Sequence, residues 1–198
     1  MSAPTHLLYL HGFRSSPRSM KARLVAARVQ RDHPDLAWLA PALPPSPADA
    51  MAGVLAATAH WPAATSAVIG SSLGGFYARW VAARCGWRAV LLNPAAHPAR
   101  DLARHIGEQT AWHDPAERFF FEPRFVDELR AMETDLAHAP RPTPDRLLAV
   151  VATGDEVLDW REMNAFAAGG TLRQVQGSDH ALSDFDDHID AVFGFLRG

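Results

Sequence analysis

The chain has 198 residues, 48% of them hydrophobic, enough for one domain (residues 1–198) with a sizeable core. Its 19 basic and 22 acidic residues leave a formal charge of −3, which excludes the basic footprint of a nucleic-acid binder or of a protein drawn to an anionic membrane. A single cysteine, Cys85, excludes an internal disulfide and points to a reducing, cytoplasmic compartment; its place in a helical pattern reads as core packing.

Met1-Ser2-Ala3-Pro4-Thr5-His6 carries no basic run and precedes only four apolar residues, so no signal peptide is expected. No run approaches the roughly 18 apolar residues of a membrane span. Short apolar runs then alternate with longer helical patterns, the signature of a parallel α/β sheet. Strands are predicted at residues 7–10, 36–39, 67–69, 89–92, 147–152 and 171–175, and helices at 19–30, 47–60, 76–85 and 158–168. The proline-rich Pro41-Ala42-Leu43-Pro44-Pro45-Ser46-Pro47 reads as a rigid connection from the second strand into a helix.

Residues 97–144 break the rhythm. No strand pattern is read there. The segment is rich in aromatics (Trp112, Phe119, Phe120, Phe121, Phe125), ends in Pro140-Arg141-Pro142-Thr143-Pro144, and is expected to hold helices at 99–107 and 123–137. A helical cap insertion at this point is placed to cover the ends of the strands; the alternative is a helical layer with ordinary core aromatics. Phe185, Ile189, Val192, Phe193 and Leu196 make one apolar face of a final helix, with Ser183 as its expected N-cap.

The chemistry-bearing residues fall after the strands, where function collects in an open parallel sheet. Gly70-Ser71-Ser72-Leu73-Gly74 follows the third strand and opens a helix, the strand–turn–helix context of a nucleophile elbow. Ser72 has glycine at both flanking positions, whereas Ser71 is flanked by Ile69 and Leu73, so the frame selects Ser72. Side chains at those two positions would collide across so tight a turn. The first strand leads into His11-Gly12-Phe13-Arg14-Ser15-Ser16-Pro17. The backbone N–H of Leu73 and, by position alone, that of Phe13 are the candidate oxyanion donors. His11 either orders this loop or is a buried, satisfied histidine.

After the fifth strand, Thr153-Gly154-Asp155-Glu156-Val157-Leu158-Asp159 offers Asp155 as the acid, with Glu156 and Asp159 as competitors. Gly177-Ser178-Asp179-His180 follows the sixth and offers His180 as the base. The order Ser72, Asp155, His180 is that of α/β-hydrolases, so the expected fold is α/β, a mostly parallel six-stranded sheet with helices on both faces. His97, after Asn93-Pro94-Ala95-Ala96, and Trp112 are candidate substrate-binding residues, with a structural loop role open for His97. Arg14, Arg18 and Lys21 either meet an anionic part of a substrate or are solvated surface charge. His11, His97, His113, His138 and His188 form no H-E-x-x-H or comparable spacing, so no metal is expected. Asp184, Asp186, Asp187 and His188 read as an acidic helix start.

Tyr9-Leu10-His11-Gly12-Phe13-Arg14-Ser15-Ser16-Pro17, the stretch from Gly70 to Ala78, Leu92-Asn93-Pro94-Ala95, the stretch from Thr153 to Asp159, and Gly177-Ser178-Asp179-His180 together resemble the YqiA-type esterases, small bacterial α/β-hydrolases. The resemblance implies hydrolysis of a small-molecule carboxylic ester, acyl thioesters included, without a cofactor. It carries over Ser72 as nucleophile, Asp155 as acid and His180 as base. His97 departs from it, standing where similar sequences carry arginine. The expected function is a serine esterase for small to medium acyl chains, with an acyl-CoA thioesterase and a non-catalytic scaffold as alternatives. Oligomeric state is left open.

Overall fold

The computed structural model describes residues 3–112, 114 and 116–198, so Met1, Ser2, His113 and Pro115 lie outside it. Six strands form one parallel sheet: β1 (His6–Leu10), β2 (Ala37–Leu39), β3 (Ser66–Ser71), β4 (Arg88–Leu92), β7 (Leu147–Ala152) and β8 (Thr171–Val175). Their spatial order is β2-β1-β3-β4-β7-β8. Central strands are buried on both faces, which is why they read as short continuous apolar runs.

Alternate residues of each strand feed two separate cores. Leu8, Leu10, Val68, Leu91, Ala149 and Val151 meet α2 (Pro47–Ala57), α3 (Leu73–Cys85), α5 (Pro123–His138) and α6 (Trp160–Phe166) on one face. Leu7, Tyr9, Ile69, Val90, Leu92 and Val150 meet α1 (Met20–Asp32) and α7 (Ile189–Arg197) on the other. The chain winds from β1 through α1 to β2, then crosses back over β1 through α2 to β3. Right-handed crossovers running in opposite directions put α1 and α2 on opposite faces. The β1–β3 junction is thus the switch point, where the strand ends leave a crevice.

Residues 97–144 differ from the expectation of helix alone. A short α4 (Pro98–Leu102) passes through a 3-10 turn at Ala103–His105 into an antiparallel hairpin, β5 (Gly107–Thr110) and β6 (Arg118–Phe121). The expected helix over 99–107 stops early because Gly107, at φ +123°, begins a strand. Four-residue strands of sequence Gly-Glu-Gln-Thr and Arg-Phe-Phe-Phe carry too little alternation to be read. Helix α5 buries Phe125, Val126, Leu129, Met132 and Leu136 in the same core cluster as α2 and α3. Phe121 and Phe125 are core aromatics of this layer, while Trp112 is 72% exposed.

The start of the last helix also differs. Ser183 does not cap it: α7 begins at Ile189, after a 3-10 turn at Phe185–Asp187. The Ser183 hydroxyl donates to the Asp179 carboxylate at 2.6 Å, and its N–H donates to the same group at 2.8 Å. The acidic residues are partly spoken for as well, since Asp184 accepts from Ser178 and faces His188 Nε2 at 3.4 Å. Cys85 packs half-buried against the core. No helix among the described residues is long and apolar enough to cross a membrane.

Packing at the elbow makes a paired prediction. A Cβ on Gly74 would lie 2.0 Å from the Leu10 carbonyl oxygen, whereas one on Gly53, in the exposed part of α2, meets nothing within 4 Å. Gly74→Ala should therefore lower unfolding stability by about 1–3 kcal/mol or more. Gly53→Ala should raise it by about 0.5–1 kcal/mol through helix propensity. Urea melts measure both, and equal effects of the two substitutions would contradict this packing.

Candidate active site

Ser72 occupies the turn between β3 and α3 with φ 57° and ψ −122°, a conformation that costs an ordinary residue about 1–3 kcal/mol. The surroundings enforce it. Its N–H donates to the Leu92 carbonyl at 2.9 Å, and its carbonyl accepts from Ala95 at 3.0 Å and from Gly75 at 2.9 Å. A Cβ on Gly70 would lie 1.9 Å from the Gly74 carbonyl oxygen, so glycine is required where the strand and the helix start touch. Ser71 stays in β3, buried to 6% exposure, and Ser72 is the serine that reaches His180.

His180 stands on the loop after β8, its Nε2 3.1 Å from Ser72 Oγ and its Nδ1 2.7 Å from Asp155 Oδ2. With the carboxylate drawing the proton to Nδ1, the Nε2 lone pair faces the serine hydroxyl. The Asp155 side chain has no exposed surface. Its other oxygen accepts from the Val157 and Leu158 N–H groups, both at 2.8 Å, so three hydrogen bonds fix the orientation of the carboxylate. The competing carboxylates are engaged elsewhere. Asp159 caps α6 by accepting from Arg161, and Glu156 accepts from the backbone N–H of His180 at 3.0 Å.

Beyond Glu156, two more side chains grip the histidine loop. Asn93, fully buried and at φ 42°, donates through Nδ2 to the carbonyls of Asp179 (3.0 Å) and His180 (3.1 Å). Its Oδ1 accepts from Ala152 N–H at 2.8 Å, so one amide ties the ends of β4 and β7 to the loop. Lys21, from the first turn of α1, donates to the Ala181 carbonyl. No periodicity flags Asn93; only its place after a strand and before proline was visible.

Phe13 brings its ring against His105 (5.5 Å), Phe119 (5.9 Å) and Phe121 (5.2 Å), which fixes the loop carrying its N–H. Leu73 is the first residue of α3, where an N–H has no acceptor within the helix. His11 donates through Nδ1 to the Gly12 carbonyl at 3.0 Å and accepts from Leu43 N–H at 3.2 Å, joining the first loop to the proline-rich connection. Arg14, at φ 59°, fastens the hairpin: Nε donates to the Thr110 carbonyl at 2.5 Å, its carbonyl accepts from Trp112, and its guanidinium lies 4.1 Å over the Trp112 ring.

A cavity of about 400 Å³ opens beside Ser72, with walls that include Leu73, Pro98, Leu102, Trp112, Val157 and Leu158. Trp112 stands at its rim. His97 does not line it: the histidine is exposed at the start of α4, and Ala95 and Pro98 on either side of it form the wall instead. His105, passed over in the sequence, lines the same cavity. Burial, aided by Arg104 and Arg14, holds its imidazole below the usual histidine range and favours the neutral form. Among the described residues no three His, Cys, Asp or Glu side chains are grouped to hold a metal ion.

A parallel sheet with this strand order, an elbow after β3 and an acid and a histidine after the last two strands define an α/β-hydrolase. Solved structures of that fold superpose along the chain. Est1E from Butyrivibrio proteoclasticus with ferulic acid bound has a TM-score of 0.68 at 17% identity, covering 99% of this chain and 87% of that one. A chain of the metagenome-derived lipolytic enzymes LipS and LipT gives 0.72 at 18%, covering 99% and 95%. The esterase domain of a Rhodothermus marinus protein gives 0.67 at 21%, covering 99% and 90%. A model of the uncharacterised protein family UPF0227 matches residues 6–197, and the chain belongs to that family, the YqiA-type family of α/β-hydrolases.

Removing the Asn93 amide strands one buried N–H and two carbonyls. Asn93→Ala should lower unfolding stability by about 2–4 kcal/mol in urea melts. A change below about 0.5 kcal/mol would mean that water replaces all three bonds and that the loop does not depend on Asn93.

Proposed function

We propose that this chain is a serine esterase that hydrolyses carboxylic esters of small to medium acyl chains through an acyl-enzyme intermediate. The observation that carries the reading is the unbroken hydrogen-bonded line from Asp155 through His180 to Ser72 at a strained elbow. In this reading Ser72 Oγ attacks the ester carbonyl carbon while His180 Nε2 takes its proton. Negative charge gathers on the carbonyl oxygen, held by the N–H groups of Phe13 and Leu73; one such donor is worth about 2.7–4 kcal/mol in a well-studied protease. His180 returns the proton to the leaving alcohol. A water molecule, deprotonated by His180, then attacks the acyl carbon; the bond to Ser72 Oγ breaks, His180 hands the proton to that oxygen, and the carboxylic acid leaves.

Asp155 keeps the imidazole in the productive tautomer and stabilises its charged form without becoming protonated. The apolar cavity beside Ser72 takes the acyl chain, and Trp112 contacts substrate at its rim. The cover over the site is the α4–hairpin part of residues 97–144, within one domain.

A fluorophosphonate probe should label Ser72, and labelling should vanish in Ser72→Ala. Asp155→Asn should lower kcat by about 10⁴-fold, with Asp159→Asn remaining within a few-fold of the parent. Folded protein that neither reacts with the probe nor hydrolyses activated esters would overturn the reading. A larger loss from Asp159→Asn than from Asp155→Asn would move the acid.

A further inference from the structure

Ser72 lies where two unlike cavities meet. One is the cavity already described, whose apolar wall of Leu73, Pro98, Leu102, Val157 and Leu158 is joined by Asp101, Arg104, His105 and Glu156. The other, of about 260 Å³, runs toward the start of α1 and is lined by Ser15, Ser19, Met20, Lys21 and Tyr9. Ser72, Phe13, Trp112, His180 and Ala181 border both. The two cavities therefore offer separate space to the two substituents of a carbonyl carbon at Ser72.

The second cavity is rich in hydrogen-bond donors. Lys21 contributes an ammonium, of which one N–H is used on the Ala181 carbonyl. Burial raises the ionisation range of the Tyr9 hydroxyl, so it stays protonated, next to the Ser19 hydroxyl. Burial pulls the Lys21 pKa down to about 8, with Asp179 and Asp155 acting to raise it. Arg18, by contrast, is exposed, and Arg14 is committed to the hairpin.

We infer that this cavity binds a carboxylate carried by the ester substrate, with Lys21 as its ion-pair partner. The inference rests on the esterase reading for its substrate and deepens it: the preferred ester is bipartite, apolar on one side of the carbonyl and anionic on the other. A carboxylate fits better than a phosphate monoester. One ammonium stands there with Asp155 and Asp179 nearby, and a phosphate brings about −1.5 to −2 of charge.

The test compares kcat/KM for monomethyl and dimethyl glutarate, where the anion is on the acyl side. A second pair, the acetyl ester of 3-hydroxypropionic acid and its methyl ester, puts the anion on the alcohol side. In at least one pair the anionic member should be favoured about tenfold or more; Lys21→Met should abolish that ratio and Lys21→Arg should retain part of it. Calorimetry on Ser72→Ala reads binding without turnover: the favoured anionic ester should bind more tightly than its neutral partner, and Ser72→Ala/Lys21→Met should remove the difference. Equal binding of anionic and neutral members by Ser72→Ala overturns the inference. So does a Lys21→Met variant that slows both members of each pair alike, which would leave Lys21 as a brace for the histidine loop. Failure of the wild type on p-nitrophenyl butyrate would count instead against the esterase reading.

Discussion

The site hangs on the contact between the end of β3 and the start of α3. There Gly70 and Gly74 let backbone touch backbone, and Ser72 is left in a conformation that side-chain-bearing residues avoid. Strain of about 1–3 kcal/mol is a large share of the 5–15 kcal/mol that typically stabilises a domain. It persists because the same residue is bonded to the ends of neighbouring segments, through Leu92 and Ala95, and because β3 is buried along its whole length. A rigid sheet thus holds the serine hydroxyl proud of the strand ends, and the other groups need only arrive there on loops.

Those loops are not free. Residues 179–181 are held by Asn93 just after β4, Glu156 from the loop after β7 and Lys21 from α1. Three separate segments thereby fix the position of one imidazole. The loop after β1 is held in a different way, by the Phe13 ring in an aromatic cluster and by His11 across to Leu43. Polar clamps suit the histidine loop, which lies over strand ends full of backbone donors and acceptors. Apolar packing suits the loop that faces the hairpin. The proposed reaction uses the result of both, a base and two amide donors placed before substrate arrives.

Much of this was legible from residue order, for physical reasons. The four central strands, buried on both faces, appear as short apolar runs, while the edge strands β2 and β8 are largely exposed and were legible from their place between helical patterns. The elbow is legible because its geometry tolerates only glycine at two fixed positions. Asp155 and His180 follow strand ends and so could be placed by position. What escaped reading depends on contacts between segments distant in sequence. Asn93 acts through carbonyls 86 and 87 residues away, and Lys21 through one 160 residues away. The hairpin is set by packing on Phe13 and Arg14, not by its own alternation. His97 looked like a pocket residue from its nearness to Asn93, but the backbone at the start of α4 turns it to solvent. Ser183 looked like a cap, yet Asp179 captures it.

The central claim is that Ser72 forms a covalent acyl intermediate with His180 as its base. Rapid-quench mass spectrometry during turnover of p-nitrophenyl butyrate tests it most directly. The account predicts a butyryl adduct on the peptide containing Ser72, formed within the burst of p-nitrophenol release and absent in Ser72→Ala. Steady hydrolysis with no adduct under quench, or an adduct on any other residue, would contradict it.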